Sequence, residues 1–125
     1  MIGLVVVSHS AKAAEGICEL AREMGGDAPL EAAGGDNGEI GTSADRIGDA
    51  IAAADDGEGV VVLVDLGSAV MNAELAIEMA GVDAVIADAP VLEGTLNAAV
   101  EAANATTVET VVEKAVEARE YRKLG

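Results

Sequence analysis

Aromatic side chains are almost missing from this chain, which has no Phe, no Trp and one Tyr in 125 residues. Proteins that bind nucleic acid usually stack bases on aromatic side chains and present a basic patch. Here Asp and Glu outnumber Lys and Arg by 23 to 7. We therefore expect no nucleic-acid partner, and we expect a core built from Val, Ile, Leu, Met and Ala.

Cysteine and long apolar runs are also scarce. Cys18 is the only cysteine, so no internal disulfide can form, which is typical of a reducing compartment. The apolar opening run ends at Ser8, lacks a basic flank and is too short to cross a bilayer. These features predict a cytoplasmic protein that does not insert into a membrane.

Positive charge is the third scarce quantity, since the formal net charge is −16. Disorder does not explain it, because 51% of the residues are hydrophobic. An anionic membrane surface would repel such a chain. In roughly 1 M salt the Debye length falls to about 3 Å, so surface acids hardly repel one another. We interpret the composition as that of a protein from a halophilic cytoplasm.

Apolar runs alternate with helical stretches along the chain. Ile2–Val7 and Val60–Val64 are continuous apolar runs rich in β-branched residues, typical of strands buried on both faces of a parallel sheet. Two weaker strand candidates are Pro29–Ala33 and Asp83–Ala87. The predicted helices are Ala11–Met24, Ser43–Ala54, Ser68–Ala80, Val91–Ala103 and Val108–Arg122. A capping box, Thr42-x-x-Asp45, is predicted to start the second. The pattern predicts one α/β domain over 1–125, with an open parallel sheet in the flavodoxin-like strand order 2-1-3-4 and helices on both faces.

His9 and Asp65 follow the two strongest strands, and the carboxyl ends of parallel strands meet at the ligand-binding edge of such a sheet. A neutral imidazole nitrogen is a nucleophile, and a carboxylate that accepts the proton of the other nitrogen fixes its tautomer. We predict that His9 accepts a phosphoryl group and that Asp65 orients it. Purely structural roles remain open: His9 as a cap of the next helix, and Asp65 as an N-cap near Ser68.

Small and hydroxyl residues cluster in the loops at the same edge. Backbone N–H groups at a helix N-terminus and Ser or Thr hydroxyls can bind phosphate without added cations. The predicted phosphate-binding residues are Ser10, Gly35, Thr42, Ser43, Gly67, Ser68 and Ala69. There is no nucleotide-binding glycine motif, and His9 is the only histidine. We therefore expect no metal and no tightly bound cofactor, only the phosphoryl group on His9.

Several motifs together resemble the DhaM family, the phosphocarrier subunits of phosphoenolpyruvate-dependent dihydroxyacetone kinases. They are Val5-Val6-Val7-Ser8-His9-Ser10, Ala14-Glu15-Gly16, Ala32-Ala33-Gly34-Gly35, Ile40-Gly41-Thr42-Ser43, Asp65-Leu66-Gly67-Ser68-Ala69 and Ala89-Pro90-Val91-Leu92-Glu93-Gly94. The resemblance implies the fold of mannose-type EIIA domains and a homodimer. It implies that His9 takes phosphate from phospho-HPr and passes it to ADP on the DhaL subunit. The product then phosphorylates dihydroxyacetone held by DhaK. Because the chain stops at Gly125, separate HPr and enzyme I proteins are expected to supply the phosphate.

Three other classes of protein compete with this interpretation. Small sirohydrochlorin or cobalt chelatases also place a histidine after the first strand, but metal insertion usually needs more histidine ligands than this chain has. A receiver domain would need an acidic pair after the first strand, and none is present. A non-catalytic interaction module would leave His9 unmodified.

Overall fold

A four-stranded parallel sheet organises the computed structural model, which describes residues 1–125. The strands are β1 (Gly3–Ser8), β2 (Leu30–Gly34), β3 (Val60–Val64) and β4 (Ala84–Ala87). Their order is β2-β1-β3-β4, as predicted. Val7 pairs with Ala33 on one side and with Val64 on the other, so β1, β2 and β3 end together at one edge.

Five α-helices connect and follow the strands. They are α1 (Ala11–Gly25), α2 (Ala44–Ala54), α3 (Val70–Ala80), α4 (Val91–Ala102) and α5 (Val108–Glu117). A 3-10 turn, Gly67–Ala69, leads into α3, and a second, Ala118–Glu120, follows α5. The predicted third and fifth helices are therefore each divided into a 3-10 turn and an α-helix.

The sheet separates two aliphatic cores. Leu4 and Val6 of β1 face the larger one, which contains residues of α1, α4 and α5. Val5 and Val7 face the other, which contains residues of α2 and α3. All four side chains are fully buried, as expected for a strand covered on both faces. Burial on both sides fixes the end of β1, and hence the place of the residues that follow it.

Small residues let the helices approach closely. A Cβ added to Gly25, at the end of α1, would lie 2.4 Å from the Cβ of Ala99 in α4. None of the helices is long and apolar enough to cross a membrane.

Candidate functional site

His9 and Asp65 lie side by side at the carboxyl edge of the sheet, one residue beyond β1 and β3. His9 Nδ1 is 3.1 Å from Asp65 Oδ1. The side chains keep 24% and 19% of their surface exposed, so the ring is accessible but held. Adjacent parallel strands lie about 4.8 Å apart, which brings residues at neighbouring strand ends within contact.

The Asp65 carboxylate accepts two more hydrogen bonds from the end of β1. Its Oδ2 accepts from the Ser8 hydroxyl and from the His9 backbone N–H, both at 3.0 Å. Partial burial alone would raise the pKa of Asp65, but the hydrogen bonds from His9 and Ser8 outweigh it and lower that pKa below its usual value. Asp65 is therefore an ionised carboxylate that accepts hydrogen bonds. It is not the N-cap of the helix near Ser68, because Leu66 occupies that position and makes no side-chain cap.

This carboxylate decides which nitrogen of His9 carries the proton. An ionised carboxylate only accepts, so Nδ1 must hold the hydrogen and donate it to Asp65. The other nitrogen, Nε2, is then left with a lone pair. Ser68 Oγ lies 3.0 Å from Nε2 and donates to that lone pair. The arrangement presents Nε2 as the nucleophilic atom, at the more exposed side of the ring.

Two serines flank His9 and shape its loop. Ser10 is the N-cap of α1, because its Oγ accepts from the Ala13 N–H at 3.2 Å. The alternative in which His9 caps this helix is therefore wrong. The Ser10 N–H donates to Ser8 Oγ at 3.0 Å. Ser8 thus joins the backbone after His9 to the carboxylate beside it.

The loop after β2 closes over the same edge through backbone contacts. Gly35 N–H donates to Ser8 O at 3.1 Å, and Gly41 N–H donates to His9 O at 2.9 Å. Gly35 has a φ of +73°, which favours glycine. Gly34 passes so close to α1 that an added Cβ would lie 2.5 Å from Ser10 O. These glycines are needed for the loop to reach His9.

The start of α2 differs from the prediction. Ser43 is the N-cap, since its Oγ accepts from the Arg46 N–H at 3.2 Å. The Thr42 hydroxyl does not cap this helix, because its Oγ1 accepts from Asn72 Nδ2 at 2.7 Å. The predicted capping box is therefore wrong, because the N-cap is Ser43 and Arg46, three residues later, has no side-chain acceptor to complete a box.

The loop after β3 contributes through Ser68 and its neighbours. Gly67 and Ser68 are exposed at the start of the 3-10 turn, where the first N–H groups of a helix have no partner within it. Ala69 is fully buried, and its N–H donates to Leu66 O at 3.0 Å, so that N–H is not free for phosphate. Ser68 is thus the predicted phosphate-binding residue that touches the His9 ring.

The family model named EIIA-man, described as the PTS system fructose IIA component, matches residues 3–114. The chain belongs to the EIIA-man family.

Curated relatives place this EIIA domain close to DhaM proteins. It is 36% identical over 120 residues to phosphoryl donor subunit DhaM of the PEP-dependent dihydroxyacetone kinase 2 of Listeria innocua, covering 91% of this chain and 96% of the relative. It is 39% identical over 113 residues to the DhaM phosphotransferase subunit of the PTS-dependent kinase of Lactococcus lactis, covering 90% and 91%. A DhaM of Klebsiella michiganensis is 38% identical over 135 residues, covering 99% of this chain and only 28% of the relative. The chain thus spans little more than a quarter of that relative's length.

A solved structure supports the fold of this EIIA domain. A crystal structure of a protein of unknown function superposes with a TM-score of 0.83 at 28% sequence identity, covering 96% of each chain. The order of strands that brings β1 and β3 together is therefore seen in a solved relative.

Three residues of the EIIA site escaped sequence reasoning. The sequence places Ser8 directly after the first strand, beside His9, but it does not predict that the Ser8 hydroxyl contacts Asp65. The sequence places Gly41 in a loop that can close over this edge of the sheet, but it does not predict that the Gly41 N–H donates to the His9 carbonyl. Asn72 reads as a polar residue inside a helix, and no spacing rule connects it to Thr42, 30 residues away.

Proposed function

We propose that this EIIA domain is a cytoplasmic phosphohistidine carrier, in which His9 Nε2 accepts a phosphoryl group from phospho-HPr and passes it to ADP bound to DhaL. The observation that carries the proposal is the pairing of Nδ1 with the Asp65 carboxylate at 3.1 Å, which leaves Nε2 as a lone-pair nucleophile. The relatives named as the phosphoryl donor subunit or the phosphotransferase subunit of a dihydroxyacetone kinase support the choice of acceptor. HPr as the donor, DhaK as the indirect partner and a homodimeric state belong to the same proposal.

Charging of His9 balances without outside acid or base. The Nε2 lone pair attacks phosphorus, and the bond between phosphorus and the donor atom of HPr breaks with its electron pair left on that atom. Nδ1 keeps its proton, so the ring acquires positive charge, which the adjacent Asp65 carboxylate stabilises. The Ser68 hydroxyl, which donates to Nε2 in the uncharged protein, turns its proton toward a phosphoryl oxygen.

Discharge reverses these changes. A β-phosphate oxygen of ADP attacks phosphorus, the P–Nε2 bond breaks and its electron pair returns to Nε2. Once the ring is neutral again, Ser68 donates to the Nε2 lone pair as before. Asp65 stabilises the positive charge of the phosphorylated ring and makes no bond to the phosphoryl group itself. Transfer from His9 therefore remains reversible, as a carrier requires.

The experiment is intact-mass analysis after incubation with phosphoenolpyruvate, enzyme I and HPr. We expect one acid-labile phosphoryl adduct on the natural chain and none on His9→Ala, with circular dichroism showing that the variant folds. Addition of DhaL and ADP should then discharge the adduct and form ATP. If the natural chain takes up no phosphate while HPr is shown to be charged, the carrier function is wrong. If it is charged but DhaL and ADP do not discharge it, only the proposed acceptor is wrong.

A further inference from the structure

A side-chain amide links α3 to the loop that covers His9. Asn72 Nδ2 donates to Thr42 Oγ1 at 2.7 Å and to the Thr42 carbonyl oxygen at 3.3 Å. A carbonyl oxygen can only accept, so the side of the amide that faces Thr42 must be the NH₂ group. The orientation of the Asn72 amide is therefore fixed by the backbone of the loop.

This orientation also decides what the Thr42 hydroxyl can do. Because its oxygen accepts from Asn72, its own proton points away from Asn72 and is free to be donated. No acceptor within the protein takes that proton, because the only hydrogen bond of this hydroxyl is the one in which its oxygen accepts from Asn72. Asn72 therefore makes the Thr42 hydroxyl a donor.

Two neighbouring contacts connect the Thr42 hydroxyl to the His9 site. Ser68 and Asn72 are four residues apart on the continuous helical segment Gly67–Ala80, so their side chains are neighbours on one face. Ser68 touches His9 Nε2 and Asn72 touches Thr42. Gly41, next to Thr42, donates to the His9 carbonyl. Thr42 is thus connected to the His9 site on two sides, through its neighbour Gly41 and through Asn72.

We propose that Asn72 is a positioning residue, which holds the Thr42 hydroxyl so that it donates a hydrogen bond to the phosphoryl group on His9. Ser68 and Thr42 would then bind different oxygens of that group, with Asn72 acting only through Thr42. The inference rests on the proposed carrier function of His9. It gives the site a second neutral hydroxyl donor, which suits a chain whose net charge is −16.

The test measures how phosphate distributes at equilibrium between HPr and this chain. A hydrogen bond to a charged group contributes enough that Thr42→Val should lower the equilibrium constant for charging about tenfold. Thr42→Ser, which keeps the hydroxyl, should recover most of that loss. Asn72→Asp offers Thr42 acceptor oxygens in place of the NH₂ group, so it should turn the hydroxyl proton away and lose at least as much.

Combination of the two changes separates positioning from general damage. Because Asn72 acts through the hydroxyl, adding Thr42→Val to Asn72→Asp should cause no further loss. Asn104→Asp, an exposed change of the same kind beyond α4, is the matched control and should charge normally. Thermal unfolding midpoints show whether each variant remains folded.

The outcomes are distinct. Normal charging of Thr42→Val, or losses from Thr42→Val and Asn72→Asp that multiply in the double variant, would overturn the role of Asn72. If neither the natural chain nor Asn104→Asp is charged, the carrier function itself fails.

Discussion

At the scale of single residues, the site depends on the three hydrogen bonds that the Asp65 carboxylate accepts. Asp65 accepts from Ser8, from the His9 backbone and from the His9 ring, so it fixes both the course of the loop and the tautomer of the ring. Two of these donors face Oδ2 and one faces Oδ1. The asymmetry makes the amide analogue of Asp65 informative.

Asp65→Asn should invert the tautomer of His9. The two donors at the Oδ2 position will select the amide oxygen, so the NH₂ group will face Nδ1 and require it to accept. The proton then moves to Nε2, which can no longer attack phosphorus. We expect the rate of charging by phospho-HPr to fall about 10²- to 10⁴-fold, measured in single-turnover quench experiments.

Asp88→Asn is the matched control for that change. Asp88 is 88% exposed and pairs only with Arg119 at the surface, so its variant should charge at the natural rate. Nitrogen NMR of the imidazole gives an independent check of the tautomer. A proton still on Nδ1 in Asp65→Asn would contradict the proposed orientation.

At the scale of elements, the strands were predictable and some boundaries were not. Continuous β-branched runs such as Val60–Val64 identify buried strands, and the short crossovers then limit the strand order. The start of α2 could not be settled locally, because Thr42 and Ser43 both suit an N-cap. In the structure, the Thr42 hydroxyl accepts a hydrogen bond from Asn72, which is distant in sequence, and Ser43 is the N-cap of α2.

The same reason explains what could be predicted of the site. His9 and Asp65 were found because each directly follows a strong strand, where topology alone brings them together. Ser8 was missed because sequence does not say which partner a strand-end hydroxyl chooses. Likewise, the sequence predicts that the N–H of Ala69 is available to phosphate, whereas in the structure it donates to Leu66 O.

Gly34 and Gly16 differ in how much space surrounds them, so the same substitution to Ala should have opposite effects at the two positions. A Cβ on Gly34 would lie 2.5 Å from Ser10 O, whereas one on Gly16, inside α1, meets no atom within 4 Å. Gly34→Ala should therefore destabilise the protein by about 1–3 kcal/mol through overpacking and slow charging, because it displaces the residues after His9. Gly16→Ala should stabilise by about 0.5–1 kcal/mol with normal charging.

Urea unfolding and single-turnover charging measure both effects. A Gly34→Ala variant as stable and as active as the natural chain would show that α1 and β2 are not in close contact.

Cys18 reports on the packing of α1. Its side chain is fully buried, and burial raises the pKa of the thiol to about 11. The thiolate is the reactive form, so the native protein should not react with a disulfide reagent at pH 8. One equivalent should react after unfolding in urea. Rapid reaction of the folded protein would mean that α1 opens readily.

At the scale of the whole molecule, the negative charges far outnumber the positive charges that could pair with them. The chain has 23 acids and 7 Lys or Arg, and its surface pairs, such as Lys114–Glu117 and Lys123–Glu93, are exposed on at least one side. Exposed pairs contribute little to stability. Repulsion among the remaining acids therefore opposes the folded state at low ionic strength.

The unfolding midpoint should rise when KCl is increased from millimolar to molar concentration. Added salt screens the repulsion among the acids, while the two aliphatic cores are unaffected by the screening itself. Thermal scans monitored by circular dichroism provide the measurement. Equal midpoints at both salt concentrations would contradict adaptation to a saline cytoplasm.

Every hydrogen bond to His9 comes from residues at or before position 68, namely Gly41, Asp65 and Ser68. Residues between β4 and the C-terminus contribute to the larger core, and none of them makes a hydrogen bond to His9. Substitutions between β4 and the C-terminus should therefore affect the packing of the larger core while leaving the hydrogen bonds of His9 in place.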